Sequence, residues 1–174
     1  MTKVLIVMGS DSDLPVVKGA VDVLKDFGIE TEVRISSAHR AAKKTEELAK
    51  NAVENGFGVI IAAAGGAAHL AGVIAAQTPL PVIALPIKSG ALHGVDALYA
   101  MVQMPSGIPC ATVAVDGAKN AGILAAQILG VADTEIMQKI VDYKENMRAG
   151  VEKKDEKLQV LGVDAYLAEK NKNK

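Results

Sequence analysis

The chain reads as an α/β protein, a parallel sheet covered by helices on both faces. Three observations predict this. Apolar runs alternate with segments of helical period along the chain, as successive βαβ units require. The runs are continuously apolar, as in strands buried on both sides. Hydrophobic residues make up 50% of the 174 but aromatics only 3%, with no Trp, so Val, Ile, Leu, Ala and Met must fill the core.

The elements follow in order. Val4-Leu5-Ile6-Val7-Met8 is the first strand. Leu14, Val17, Val21, Leu24 and Phe27 then recur at helical spacing, with Asp13 available as a cap and Pro15 tolerated in the first turn. Gly28 ends that helix, and Thr31 to Ile35 is the second strand. A second helix is expected from about Ala41 to Glu54, stopped by Asn55-Gly56. Val59 to Ala64 is the third strand, and a short helix is expected over Leu70 to Gln77. Pro81 to Pro86 is the fourth strand, Cys110 to Val115 the fifth, and Asn120 to Leu129 the helix after it. From Thr134 a longer helix, over about 134–160, carries Ile136, Ile140, Tyr143 and Met147 on one side; its length predicts packing on a neighbouring subunit. The polar residues 170–174 are expected to be disordered. With no linker or repeat, residues 1–174 read as a single domain with its core at about 3–130.

Bulk properties exclude several classes. The net charge of -1, from 19 basic and 20 acidic residues, argues against a nucleic-acid binder. No apolar run approaches the ~18 residues that a membrane span needs. The stretch after Lys3 stops at Gly9-Ser10-Asp11-Ser12-Asp13, too soon for a signal peptide. Cys110 has no internal disulfide partner, and a cytoplasmic location is expected. The three histidines lack metal-ligand spacing, so no metal is expected, and no Gly-x-Ser-x-Gly elbow, P-loop or GxGxxG fingerprint occurs.

In an open parallel sheet, ligands bind beyond the carboxyl ends of the strands. Three polar, small-residue turns fall there. Gly9-Ser10-Asp11-Ser12-Asp13 offers hydroxyls and amides at a helix start, suited to phosphate, with Asp13 able to accept from sugar hydroxyls; a plain capping turn has the same composition. Ser36-Ser37-Ala38-His39-Arg40 joins two hydroxyls, a proton carrier and a fixed cation; a solvated first helical turn reads the same way. Ala64-Gly65-Gly66-Ala67-Ala68-His69-Leu70 has so little bulk that its amides can approach a flat ring or a carboxylate; a tight turn with a buried histidine is the other reading. His93 is expected in a mobile loop without a catalytic role.

Together, Gly9-Ser10-x-Ser12-Asp13, Ser37-Ala38-His39-Arg40 and Ala64 to Leu70 resemble the N5-carboxyaminoimidazole ribonucleotide mutase family of purine biosynthesis. So do Gly94-Val95-Asp96-Ala97-Leu98, Val102-Gln103-Met104-Pro105, Gly107-Ile108-Pro109 and Asn120 to Leu129, and the likeness runs in order over about residues 3 to 130. The resemblance implies an isomerase of flavodoxin-like, three-layer αβα fold, to which the residue pattern adds the count of about five strands and the extra C-terminal helix. It also implies a homo-octamer that uses no metal or organic cofactor. The substrate would be a phosphoribosyl carbamate whose carboxylate moves from N5 to ring carbon C4. Ser10, Ser12 and Asp13 would bind its phosphoribosyl part and Arg40 its phosphate. His39 would be the general acid and base, with His69 as the second catalytic histidine. Ser37, Gly65, Gly66, Ala67, Ala68 and Leu70 would enclose the imidazole and the carboxylate.

The sequence departs from the family where Ala41-Ala42 replaces Thr-Pro, where Ala71 replaces Pro, and where 115–120 runs shorter; each bears on loop geometry. One alternative is a related enzyme that carboxylates aminoimidazole ribonucleotide directly with carbon dioxide. Ala67-Ala68-His69-Leu70 favours the mutase, because the carboxylases carry a more polar stretch there. The other alternative, a non-catalytic nucleotide-binding module, would leave His39 without a purpose.

Overall fold

A computed structural model describes residues 3–172. The chain divides into two compact units, Met1–Met137 and Gln138–Lys174. In the first unit the strands are β1 (Lys3–Met8), β2 (Glu30–Ile35), β3 (Phe57–Gly65), β4 (Val82–Ile87) and β5 (Ala111–Thr112). Its helices are α1 (Leu14–Asp26), α2 (Ala42–Lys50), α3 (Leu70–Ala75), α4 (Val95–Val102) and α5 (Ala118–Gly130). All the strand pairs are parallel and the order is β2-β1-β3-β4-β5. This is the flavodoxin-like order, whose switch point lies between β1 and β3.

The predicted apolar runs are the central strands. Val4 to Met8 and Val59 to Ala63 are each at most 2% exposed. Leu5, Val7, Ile60, Ala62 and Ala64 share one cluster with Ala49 of α2, Leu70 and Ile74 of α3, and Ala97 and Met101 of α4. Their neighbours Val4, Ile6 and Ile61 point to the opposite face by the pleat. That face is covered by α1 and α5, which pack so closely that a Cβ on Gly122 would fall 2.4 Å from Val23 Cγ1.

Several expectations change. α4 is an additional helix in a stretch to which the sequence reading assigned no element; its residues VDALYAMV are apolar almost all round, so no period marks it. The expected six-residue fifth strand is regular for only two residues. Val113 N–H donates to Ala84 O and Asp116 N–H to Pro86 O, so three steps of chain span two of β4 and the ladder breaks at a bulge. α2 ends at Lys50, four residues short of expectation, and the chain turns until Gly56 at φ 82°.

α6 (Thr134–Lys172) is longer than the expected 134–160 and is broken at Gly162, where φ is 71° and ψ 170°. Asp133 Oδ1 caps its start, accepting from the amides of Glu135 and Ile136. Within the second unit, Arg148 pairs with Glu145 and Glu152, and Lys157 pairs with Glu169 across the break, so the last turns double back. Residues 170–172 of the expected disordered tail are helical, and 173–174 lie outside the described residues. Among the described residues no helix is long and apolar enough to cross a membrane.

Candidate active site

Four strand ends converge on one cleft of about 270 Å³. Its walls come from Gly9 to Asp13 after β1, Ser37 to Arg40 after β2, Ala64 to Leu70 after β3, and Ser89 after β4. Gly9 N–H donates to Ala63 O at 3.1 Å, carrying the β1–β3 ladder into the cleft at the switch point.

After β1 the chain makes a short 3-10 turn, Asp11–Asp13. The Ser12 hydroxyl donates to Ser10 Oγ at 2.9 Å, and Ser10 Oγ donates to Asp11 Oδ1 at 3.2 Å. Asp13 stands at the cap position of α1 but makes no capping hydrogen bond, contrary to expectation. Its carboxyl is instead buried, 7% exposed, and faces the cleft. Burial pushes its pKa up, against the smaller lowering effect of the Ser12 hydroxyl and the Ser10 backbone.

After β2 the two serines part company. Ser36 is 2% exposed, and its hydroxyl shares a 2.8 Å hydrogen bond with Thr45 Oγ1 of α2, so it braces the turn and is not offered to a ligand. Ser37 lines the cleft, and its Oγ accepts from Arg40 N–H at 3.3 Å and from Arg40 Nε–H at 3.5 Å. Ser37 O accepts from Ala41 N–H at 2.8 Å. His39 and Arg40 therefore sit on a closed turn ahead of α2, both exposed.

After β3, Gly66 takes φ 61°, and the chain turns back so that His69 N–H donates to Ala67 O at 2.8 Å. His69 is exposed, so the buried-histidine reading fails. Its Nδ1 lies 2.9 Å from His39 Nε2, with the rings edge to face at an interplanar angle of 82°. One ring must donate the shared proton and the other accept it.

Of the sequence-proposed residues, the cleft brings together Ser10, Ser12, Asp13, Ser37, His39, Arg40, Gly65, Gly66, Ala67, His69 and Leu70. Ala68 is the exception: it is 1% exposed and packs into the core beneath the turn. Ser89 is the residue that sequence reasoning missed. It follows the fourth strand as the other turns follow theirs, and that position was the available signal. His93 in the same loop does not line the cleft. Among the described residues, no three His, Cys, Asp or Glu side chains gather as metal ligands.

Residues 3–150 match the family described as AIR carboxylase. The chain belongs to this family. Members similar to it include the N5-carboxyaminoimidazole ribonucleotide mutase of Thermotoga maritima, 54% identical over 98% of this chain and 99% of that one. The protein of that name from Pyrococcus horikoshii is 55% identical over 94% of this chain and 93% of its own. The crystal structure of Treponema denticola PurE superposes with a TM-score of 0.81 at 34% identity, covering 90% of this chain and 98% of that one. The flavodoxin-like fold and the family membership expected from the three turns are thus both found.

Proposed function

We propose that this chain is an N5-carboxyaminoimidazole ribonucleotide mutase, an isomerase of purine biosynthesis that works as a single catalytic domain. The observation that carries the reading is the pair of histidine rings, joined at 2.9 Å over a cleft that also holds Arg40 and the Gly65-Gly66-Ala67 turn. A proton carrier, an anion holder and a space without side chains are what this isomerisation needs.

The substrate carries a carbamate on N5. A proton passed from the His39 ring to that nitrogen breaks the N–C bond and releases carbon dioxide. The aminoimidazole left behind is an electron-rich enamine. Its C4 attacks the carbon dioxide, forming the C–C bond, and the C4 proton then returns to His39. One proton is given and one recovered, so no other reagent enters the balance. His69 holds and orients the His39 ring. The phosphate on Arg40 and the ribose hydroxyls on Asp13 anchor the ring, while Ser10, Ser12 and Ser37 line the path between them. The Gly65-Gly66-Ala67 turn keeps carbon dioxide beside C4, so recombination stays effectively intramolecular.

The direct carboxylase is the less favoured reading, because the similar proteins of matching length carry the mutase name. We further propose a homo-octamer in the cytoplasm. Val95, Tyr99 and Val102 recur along one side of α4 and are 48%, 62% and 47% exposed, which supports burial against another copy. The deciding experiment incubates purified protein with the carbamate, without ATP. Conversion to the C4-carboxylated ribonucleotide is expected. Efficient use of aminoimidazole ribonucleotide plus carbon dioxide, with neglect of the carbamate, would overturn the assignment.

A further inference from the structure

Gly65 has no side chain, and the hydroxyl of Ser89 stands where one would be. A Cβ built on Gly65 would lie 2.6 Å from Ser89 Oγ and 3.0 Å from both Ser89 Cβ and Ile87 O. Gly65 pairs with Ile87 across the last rung of β3 and β4, and Ser89 follows two residues later, so the hydroxyl lies over the tip of the sheet. There it lines the cleft together with Gly65, Gly66, Ala67 and His69.

The segment holding Ser89 is fixed at both ends. Lys88 N–H donates to Asp116 Oδ1 at 2.9 Å, and Asp116 adopts φ 57° to present that carboxylate. At the far end Gly94, at φ 89°, passes so near Val115 and Lys88 that its Cβ would fall 2.6 Å from Val115 Cγ1 and 3.1 Å from Lys88 Cα. Asp116 and Gly94 are positioning residues for this loop.

Four serines line the cleft. Ser10 and Ser12 bond to each other, and Ser37 accepts from Arg40. Ser89 Oγ alone among them has no hydrogen-bond partner among the described residues. It is half-buried on the cleft wall, so its donor is open to a ligand.

Building on the mutase reading, we propose that Ser89 is a substrate-binding residue whose hydroxyl donates to the migrating carboxylate. The cleft divides by charge. Arg40, Ser10 and Ser37 also border a second hollow that excludes Gly65 to Ala67 and Ser89, so the cationic end is separate from the Ser89 end. Gly65, Gly66 and Ala67, which line the cleft with Ser89 and His69, bring no fixed cation to it. The group bound there changes from carboxylate to neutral carbon dioxide and back. A fixed guanidinium or ammonium on the carboxylate would hold the anionic ground state too well and raise the barrier to its release, whereas His39 loses its charge as it gives up its proton. A hydroxyl beside backbone amides binds the carboxylate yet lets it go.

Ser89→Ala tests this. It removes one oxygen and leaves the Cβ and the loop anchors in place. The expected result is a fall of about tenfold to a hundredfold in kcat/KM for the carbamate, the range for a hydrogen bond to a charged group. The Kd for aminoimidazole ribonucleotide, which lacks the carboxylate, should stay within about twofold. Leakage of free aminoimidazole ribonucleotide per turnover should rise. Unchanged kcat/KM, or an equal loss toward both ligands, overturns the role of Ser89. Wild-type protein that fails to convert the carbamate defeats instead the reading on which it rests.

Discussion

His39 Nε2 and His69 Nδ1 stand 2.9 Å apart although 30 residues separate them in the chain. One follows β2 and the other leads into α3 after β3, and β1 lies between those strands in the sheet. Both turns line the cleft together with Gly9, which follows β1. The pair is a product of strand order, and it places the proton carrier at the switch point.

If His39 carries the proton both ways, His39→Asn should lower kcat by about 10²- to 10⁴-fold, the usual share of a general acid–base group. Asn keeps a polar side chain of similar size, so the Kd for the C4-carboxylated ribonucleotide should move less than about threefold. His69→Ala should act more mildly, because it removes the support for the ring and leaves the ring itself. Steady-state kinetics and calorimetric titration check both. A His39→Asn enzyme that still turns over near the wild-type rate would remove His39 from its role.

Arg40 makes a different prediction. Its guanidinium is exposed on the cleft and already points Nε toward Ser37. Arg40→Ala should weaken binding of the phosphorylated ribonucleotide by about tenfold to a hundredfold, as loss of a charge-assisted hydrogen bond does. The dephosphorylated nucleoside should bind both proteins alike. An equal loss for the nucleoside would place Arg40 away from the phosphate.

Much of this was legible in the sequence because the signals were local. Val4 to Met8 is buried on both faces, and only a continuous apolar run can be. The three turns announced themselves by following such runs. What escaped had no local signature. Ser36 and Ser37 are chemically identical neighbours, and only the approach of Thr45 decides which hydroxyl is free. Ser89 matters because Gly65, on another strand, leaves room for it. Ala68 belongs to a run of small residues that all look ligand-facing, yet the turn points it into the core.

Asp13 links the site to stability. Burial raises its pKa above the ordinary 3.8, so the folded chain holds this proton more tightly than the unfolded chain does. The folded state is therefore favoured as pH falls through the raised value toward 3.8, and the ionised carboxyl costs stability above that window. Asp13→Asn cannot ionise. It should be more stable than wild type at pH 7, with the gap closing as pH drops through the window, and should bind the ribonucleotide less well. Urea midpoints over a pH series measure this; a gap independent of pH would mean that the carboxyl is not destabilised by burial.

Gly122 and Gly150 should respond to the same substitution with opposite sign. Both lie within helices, where Ala is intrinsically better than Gly by about 1 kcal/mol. At Gly150 nothing stands within 4 Å of the new Cβ, so Gly150→Ala should realise most of that gain. At Gly122 the Cβ would meet Val23 Cγ1 at 2.4 Å and Ala20 O at 3.0 Å. Val23 can rotate only within a packed core, and the Ala20 carbonyl belongs to the backbone of α1 and cannot rotate at all. Overpacking of this kind costs about 1–3 kcal/mol, which exceeds the propensity gain. Gly122→Ala should thus lower the urea midpoint while Gly150→Ala raises it. Since Asp13, in the cleft, stands at the cap position of α1, the Gly122 variant should also lose substrate affinity, which the Gly150 variant should keep. Stabilisation by Gly122→Ala would show that α1 and α5 pack less tightly than the 2.4 Å approach requires.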